Sequence, residues 1–276
     1  MITDKLIDNL SASVPRDDDT HLGEDGLLYC NRCNTTRQSR FELFGKVRTV
    51  NCLCKCMAEE RDKQEAERKH REHWTKVMSN RSVGFPDKEL IHCTFANDDG
   101  ATPVITNAMK SYVENFPEFR KSGKGLLLYG DVGTGKTYLA ACVVNALIDK
   151  GYPCLMTNFS RLTNQIAGMW EGKQEYIDSL SQFALVAIDD LGVERDTEYM
   201  NENVTTIIDS LYRAKVPMII TSNYTPKQLT DAAEIRKKRV YDRMLELCHP
   251  VKVNGESRRK ARGRNDFAEM NKLLGL

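Results

Sequence analysis

Eight consecutive residues, Gly130-Asp131-Val132-Gly133-Thr134-Gly135-Lys136-Thr137, fit G-x-x-x-x-G-K-[ST] in full and constrain this chain more than any other feature. Such a loop needs a strand before it and a helix after it. The apolar run Leu126 to Tyr129 and the helical pattern Lys136 to Asp149 supply both. The glycines let the backbone curl so that successive N–H groups face phosphates at the helix N-terminus. Lys136 then reaches the β- and γ-phosphates and the Thr137 hydroxyl holds Mg²⁺, so Mg·ATP is the expected ligand.

Around this loop, short apolar runs alternate with helical segments. Leu126 to Tyr129, Cys154 to Thr157, Leu185 to Ile188 and Met218 to Thr221 read as buried strands. Lys136 to Asp149, Ser160 to Trp170, Glu202 to Ala214 and Lys237 to Cys248 read as helices. Continuous apolar strands separated by helices predict a parallel sheet covered on both faces, a three-layer α/β/α P-loop NTPase core.

A nucleotide site of this kind needs an acid for its metal at the end of a neighbouring strand. Leu185-Val186-Ala187-Ile188-Asp189-Asp190 has that form, about fifty residues past Lys136. Two adjacent carboxylates are costly unless a cation offsets them. Asp189 is expected to hold Mg²⁺ through water. Asp190, one methylene shorter than the Glu common at this place, is expected to polarise the attacking water. Thr221-Ser222-Asn223 ends the next strand, where the Asn223 amide either orients water against the γ-phosphate or merely forms the turn before Pro226.

The 276 residues carry 40 basic and 39 acidic side chains, a formal charge of +1, so no global field draws the chain to nucleic acid or membrane. No apolar run approaches the ~20 residues that span a bilayer, and a cytoplasmic location is expected. Nine cysteines in a chain of this length and type read as thiols. Five of them crowd into Cys30-x₂-Cys33 and Cys52-x-Cys54-x-Cys56, enough for the four positions of a tetrahedral zinc site with one to spare. Cys30, Cys33, Cys54 and Cys56 are the expected ligands, with Cys52 outside. So short a segment has too little apolar surface to fold alone, and Zn²⁺ would supply the missing stability. His70 and His73 read as surface residues of the charged helix that follows. The predicted organisation is a mobile leader over 1–25, a zinc-binding module over 26–56, a charged helical linker over 57–80, and the ATPase domain over 81–276. Glu65 with Lys69 and Glu67 with Arg71 would stabilise the linker as i,i+4 pairs. Gly84-Phe85-Pro86 would stop it.

The segments GLLLYGDVGTGKT, LVAIDDLGVERDTEY, ITSN and RVYDRMLELC followed by GESRR, spread over Gly125 to Arg259, resemble the AAA+ superfamily. Within it they are similar to the DnaC/DnaI helicase-loader group, which also includes the IstB transposition helpers. The resemblance implies a five-stranded AAA+ sheet and self-association with ATP between subunits. It also implies a role in placing a replicative DnaB-type helicase on single-stranded DNA. On the matching positions, Asn223 is the sensor-1 residue, Arg243 the arginine finger that reaches a neighbouring subunit's ATP, and Arg259 the sensor-2 residue. Arg239 is the alternative to Arg243, and Arg258 to Arg259. Loaders of the DnaI type also resemble this chain in carrying an amino-terminal zinc-bearing module that grips the helicase.

The resemblance further assigns Asn158 to Gly172 to an added helix that touches single-stranded DNA, with Phe159, Arg161 and Trp170 on it; core packing is the rival explanation of Trp170. Between Glu234 and Arg264 stand eleven basic and four acidic residues, a local charge of +7 that can meet DNA phosphates. Two other functions compete. A transposition helper of the IstB kind shares the core motifs but does not require the cysteines. A small-molecule P-loop kinase would need an acceptor pocket and no outward-facing arginine.

Overall fold

Residues 19–43, 45–192, 198–231, 235–258 and 270–274 are described by the computed structural model. They divide into two compact units, residues 1–74 and 75–276, and the division falls inside one long helix. Among the described residues, no helix is long and apolar enough to cross a membrane.

The first unit holds two antiparallel hairpins. Strand β1 (Thr20–Leu22) pairs with β2 (Leu28–Cys30), and β3 (Gln38–Leu43) with β4 (Lys46–Asn51). Residues 20–22, expected within a mobile leader, are therefore a strand; residues 1–18 of that leader lie outside the described residues. Helix α1 (Lys55–Gly84) follows, longer at both ends than the predicted 57–80. Its Glu65–Lys69 pair closes at 2.7 Å. Up to residue 74, only Cys30, Arg37 and Cys54 are buried among the described residues. Among the described residues, no apolar core holds these hairpins together.

The second unit is built on a five-stranded, all-parallel sheet. Strands β5 (Gly125–Tyr129), β6 (Cys154–Asn158), β7 (Leu185–Leu191), β8 (Met218–Ser222) and β9 (Cys248–Lys252) lie in the spatial order β6-β7-β8-β5-β9. Strand alternation divides the core in two. Leu126, Leu128, Leu185, Ala187 and Ile219 face one side, with α2 (Pro103–Glu114), α3 (Phe116–Ser122) and α4 (Lys136–Asp149). Leu127, Val186, Ile188, Met218 and Ile220 face the other. That side is covered by α5 (Phe159–Ala167), α6 (Lys173–Ser179), α7 (Glu198–Arg213), α8 (Pro226–Thr230) and α9 (Ile235–Leu247). This is the three-layer AAA+ architecture, with every apolar strand buried on both faces.

Two local readings need correction. Cys248, expected to end the last helix, instead opens β9 and pairs with Gly125. The pattern Cys-His-Pro-Val-Lys hides this strand because it is half exposed and contains Pro250, which only an edge strand accommodates. The helix expected over Ser160 to Trp170 ends at Ala167, and Trp170 lies beyond it, fully exposed at 100%. Core packing therefore does not explain Trp170. Phe159, by contrast, is buried in the core.

Candidate functional site: a phosphate cavity and a thiol cluster

The loop 130–137 joins β5 to α4 at the carboxyl end of the sheet, where ligands of open α/β folds bind. Glycine is needed there. Gly130 has φ +146°, and a Cβ on it would stand 2.4 Å from the Val253 carbonyl oxygen. Gly135, with φ +98°, caps the N-terminus of α4 and turns the chain into it. The Thr134 hydroxyl donates to the Asp131 carbonyl, tightening the loop, and Val132 is exposed at its crest.

Lys136 is buried and its ammonium is held inside the curl. It donates to the carbonyls of Gly130 at 2.9 Å and Asp131 at 2.8 Å, and to Asn223 Oδ1 at 2.9 Å. The last contact draws β8 to the loop. The Thr137 hydroxyl donates to both Asp189 oxygens, at 2.9 and 3.1 Å, and the Thr221 hydroxyl donates to Asp189 Oδ1 at 2.6 Å. Burial raises the Asp189 carboxyl above its ordinary value, and Asp190 adds to the rise; the two threonines and Lys136 pull the other way. Asp190 has φ +57°, in the left-handed region that non-glycine residues seldom occupy. A register shift between β7 and β8 lies there, and the Asp190 N–H donates to Thr221 Oγ1 at 2.9 Å. This bulge breaks the alternation that would send adjacent acids to opposite faces of the sheet.

Of these groups, Lys136, Thr137, Asp190 and Asn223, with Gly133 and Gly135, line a cavity of about 550 Å³. Glu89, Leu90, Cys93 and Asn97, which no motif flagged, line it as well. They come from two short 3₁₀ turns forty residues upstream. Asn145 on α4 donates to the carbonyls of Leu90 and Cys93, and the Tyr138 hydroxyl to that of Thr94, fastening this wall in place. The volume lies within the range that holds cofactors and nucleotides.

The arginines are placed unevenly. Arg243 on α9 forms an ion pair with Asp209 on α7 and stacks over Tyr212, with 5.5 Å from guanidinium to ring centre. Its partner is thus within its own chain. Arg259 lies outside the described residues, as does the side chain of Arg239. Arg258, the alternative to Arg259, lines the cavity.

In the first unit, Cys30, Cys33, Cys54 and Cys56 converge with their sulfurs within 4.8 Å of one another. Cys30 ends β2, Cys33 sits in the turn beyond it, and Cys54 and Cys56 flank the start of α1. The Cys30–Cys56 and Cys54–Cys56 sulfur separations are 3.7 and 3.4 Å. Four sulfurs ~2.3 Å from a central zinc stand roughly 3.8 Å apart, so the donor set fits that metal. Hydrogen bonding with Thr35 pulls the Cys33 thiol down to about 5, whereas Cys54 pushes Cys56 up to about 12. Cys52 turns away and donates to the Thr36 carbonyl.

The family model described as IstB-like ATP binding protein matches residues 57–265. The replicative helicase loader DnaI of Bacillus subtilis is 26% identical over 194 residues, 63% of this chain and 61% of that protein. The replicative helicase loader DnaC of Escherichia coli K12 is 25% identical over 157 residues, 55% of this chain and 63% of that protein. The chain thus spans less than two thirds of either relative's length. A crystal structure of the DnaC helicase loader superposes with a TM-score of 0.53 and 22% identity, covering 60% of this chain and 99% of that one, a likeness of fold.

Proposed function

This chain belongs to the IstB-like ATP-binding protein family, and we propose that within it the chain acts as an ATP-dependent helicase loader. It binds a DnaB-type replicative helicase and delivers it to single-stranded DNA. The observation that carries this reading is the pairing of an ATP-binding core with four converging thiols. Similarity to two replicative helicase loaders supports it. Residues 26–56 form the zinc-bearing helicase grip, 57–80 the linker and 81–276 the ATPase.

The mechanism follows from the cavity. Lys136 leaves the loop carbonyls of Gly130 and Asp131 for the β- and γ-phosphates, and the loop's N–H groups cradle them. Thr137 and Asp189 would hold Mg²⁺, which supplies charge neutralisation at the phosphates. Asp190 accepts the proton of the attacking water, and Asn223 orients that water from β8. Arg243 completes the site of a neighbouring copy after exchanging Asp209 for the phosphate, so turnover depends on self-association. Exposed Arg161 and Trp170 meet single-stranded DNA, the indole offering a stacking platform.

The family's name favours a second reading, an ATPase that assists a transposase. Mixing the full chain with a DnaB-type hexamer and circular single-stranded DNA separates the two. Helicase retained on the tagged chain and moved to the circle only with hydrolysable ATP is the expected result. A chain that ignores the helicase yet binds duplex DNA and a transposase would sink the loader reading.

A further inference from the structure

Beside Asp99 and Arg258, which line the phosphate cavity, stands a buried acid that the mechanism above does not use. Asp98 precedes α2, and its side chain is only 6% exposed. Its Oδ2 accepts from the Thr106 hydroxyl at 2.8 Å, while its Oδ1 has no hydrogen-bond partner among the described residues. A buried carboxylate oxygen in that state calls for a cation. Arg258 is the cation that faces it: Nη1 stands 3.7 Å from Asp98 Oδ1, and Nη2 stands 3.3 Å from Asp99 Oδ1.

The same arginine lies on the phosphate loop. Its backbone N–H donates to the Gly133 carbonyl at 2.9 Å, and a Cβ built on Gly135 would lie 3.0 Å from its Cζ. The guanidinium is therefore wedged between a buried acid on one side and the glycine that opens α4 on the other. Its ring neighbour Tyr138, 5.9 Å from Cζ, closes a third side. Five N–H donors on a planar fork allow one edge to stay on the acids while another turns to phosphate.

We propose that Asp98 is a positioning residue: it holds the Arg258 guanidinium against the phosphate loop, where that guanidinium meets the phosphates of a bound nucleoside triphosphate. The inference rests on reading the cavity as an ATP site. Its consequence is a tie between the segment leading into α2 and the occupancy of the cavity. An arginine already held in place loses less side-chain freedom on binding than a free one. Without Arg258, the half-exposed Asp99 would instead present an uncompensated charge to the phosphates.

A double-mutant cycle on the full chain tests this, with binding of a magnesium complex of a non-hydrolysable ATP analogue measured by calorimetry. Arg258→Ala should weaken binding by more than about tenfold, the scale of a lost hydrogen bond to a charged group. Asp98→Asn should weaken it several-fold in the wild-type background and not at all when Arg258 is already Ala. Additive losses would overturn the inference. Should Asp98→Asn not fold, hydrogen exchange decides. Saturating analogue should protect the amides of 98–106 in the wild type, and Arg258→Ala should abolish that protection while keeping it at 130–137. Protection of 98–106 that survives Arg258→Ala overturns the inference alone. A wild-type chain that binds no analogue overturns the ATP reading, and this inference with it.

Discussion

Burial raises the Asp189 carboxyl above its ordinary value of 3.8, so the folded chain binds a proton there more tightly than the unfolded one. The stability this contributes is complete below the unfolded value and is lost as pH rises through the higher folded one. At neutral pH, ionised Asp189 therefore works against the nucleotide-free fold. Asp189→Asn keeps an oxygen to accept from Thr137 and Thr221 while removing the charge. Its thermal midpoint at pH 7 should rise, because the charge that burial penalises is gone. The gain should fade toward pH 4, and the added stabilisation from Mg·ATP should disappear. An unchanged or lowered midpoint at pH 7 would contradict the electrostatic account. Asp190 belongs to the same scale, since its left-handed backbone is a local strain kept at a residue that lines the cavity.

Among elements, the paired hairpins depend most on something beyond packing. Strands β1 to β4 have no buried apolar residue other than Cys30 among those described. One zinc ion per chain is the expected content by atomic absorption. Cys54→Ser should lose the metal and the hairpin signal together, whereas Cys52→Ser should retain both. Equal loss in the two variants would reject the ligand set. The C-x₂-C and C-x-C spacing made the four thiols legible, but not the hairpins around them, because short exposed strands carry no alternation to read. Edge strand β9 was obscured in the same way by Pro250, and Gly168 ended α5 before Trp170.

For the whole molecule, the proposed mechanism has Arg243 leave Asp209 for the nucleotide of a neighbouring copy, which makes assembly a condition of turnover. ATPase activity per chain should rise with protein concentration and rise further with single-stranded DNA. Arg243→Ala should flatten that dependence and lower the saturated rate by about 10³-fold or more, the size of an arginine-finger effect. Constant activity per chain upon dilution would exclude a shared site. If the variant instead unfolds, Arg243 serves the α7–α9 contact, and Arg239 becomes the residue to test.

The sequence alone determined the phosphate loop, the acid pair that follows it and the layered α/β order, because backbone curl and strand periodicity are local consequences of residue type. It also singled out Cys30, Cys33, Cys54 and Cys56. Tertiary structure alone decided that Lys136 meets Asn223, that Arg243 is held by Asp209, and that Trp170 stands in solvent. It likewise built the second wall of the cavity from residues 89–99 and set Asp98 behind Arg258. Those contacts join residues up to 160 positions apart, and no local pattern encodes a distance that only the packed sheet brings to a few ångströms.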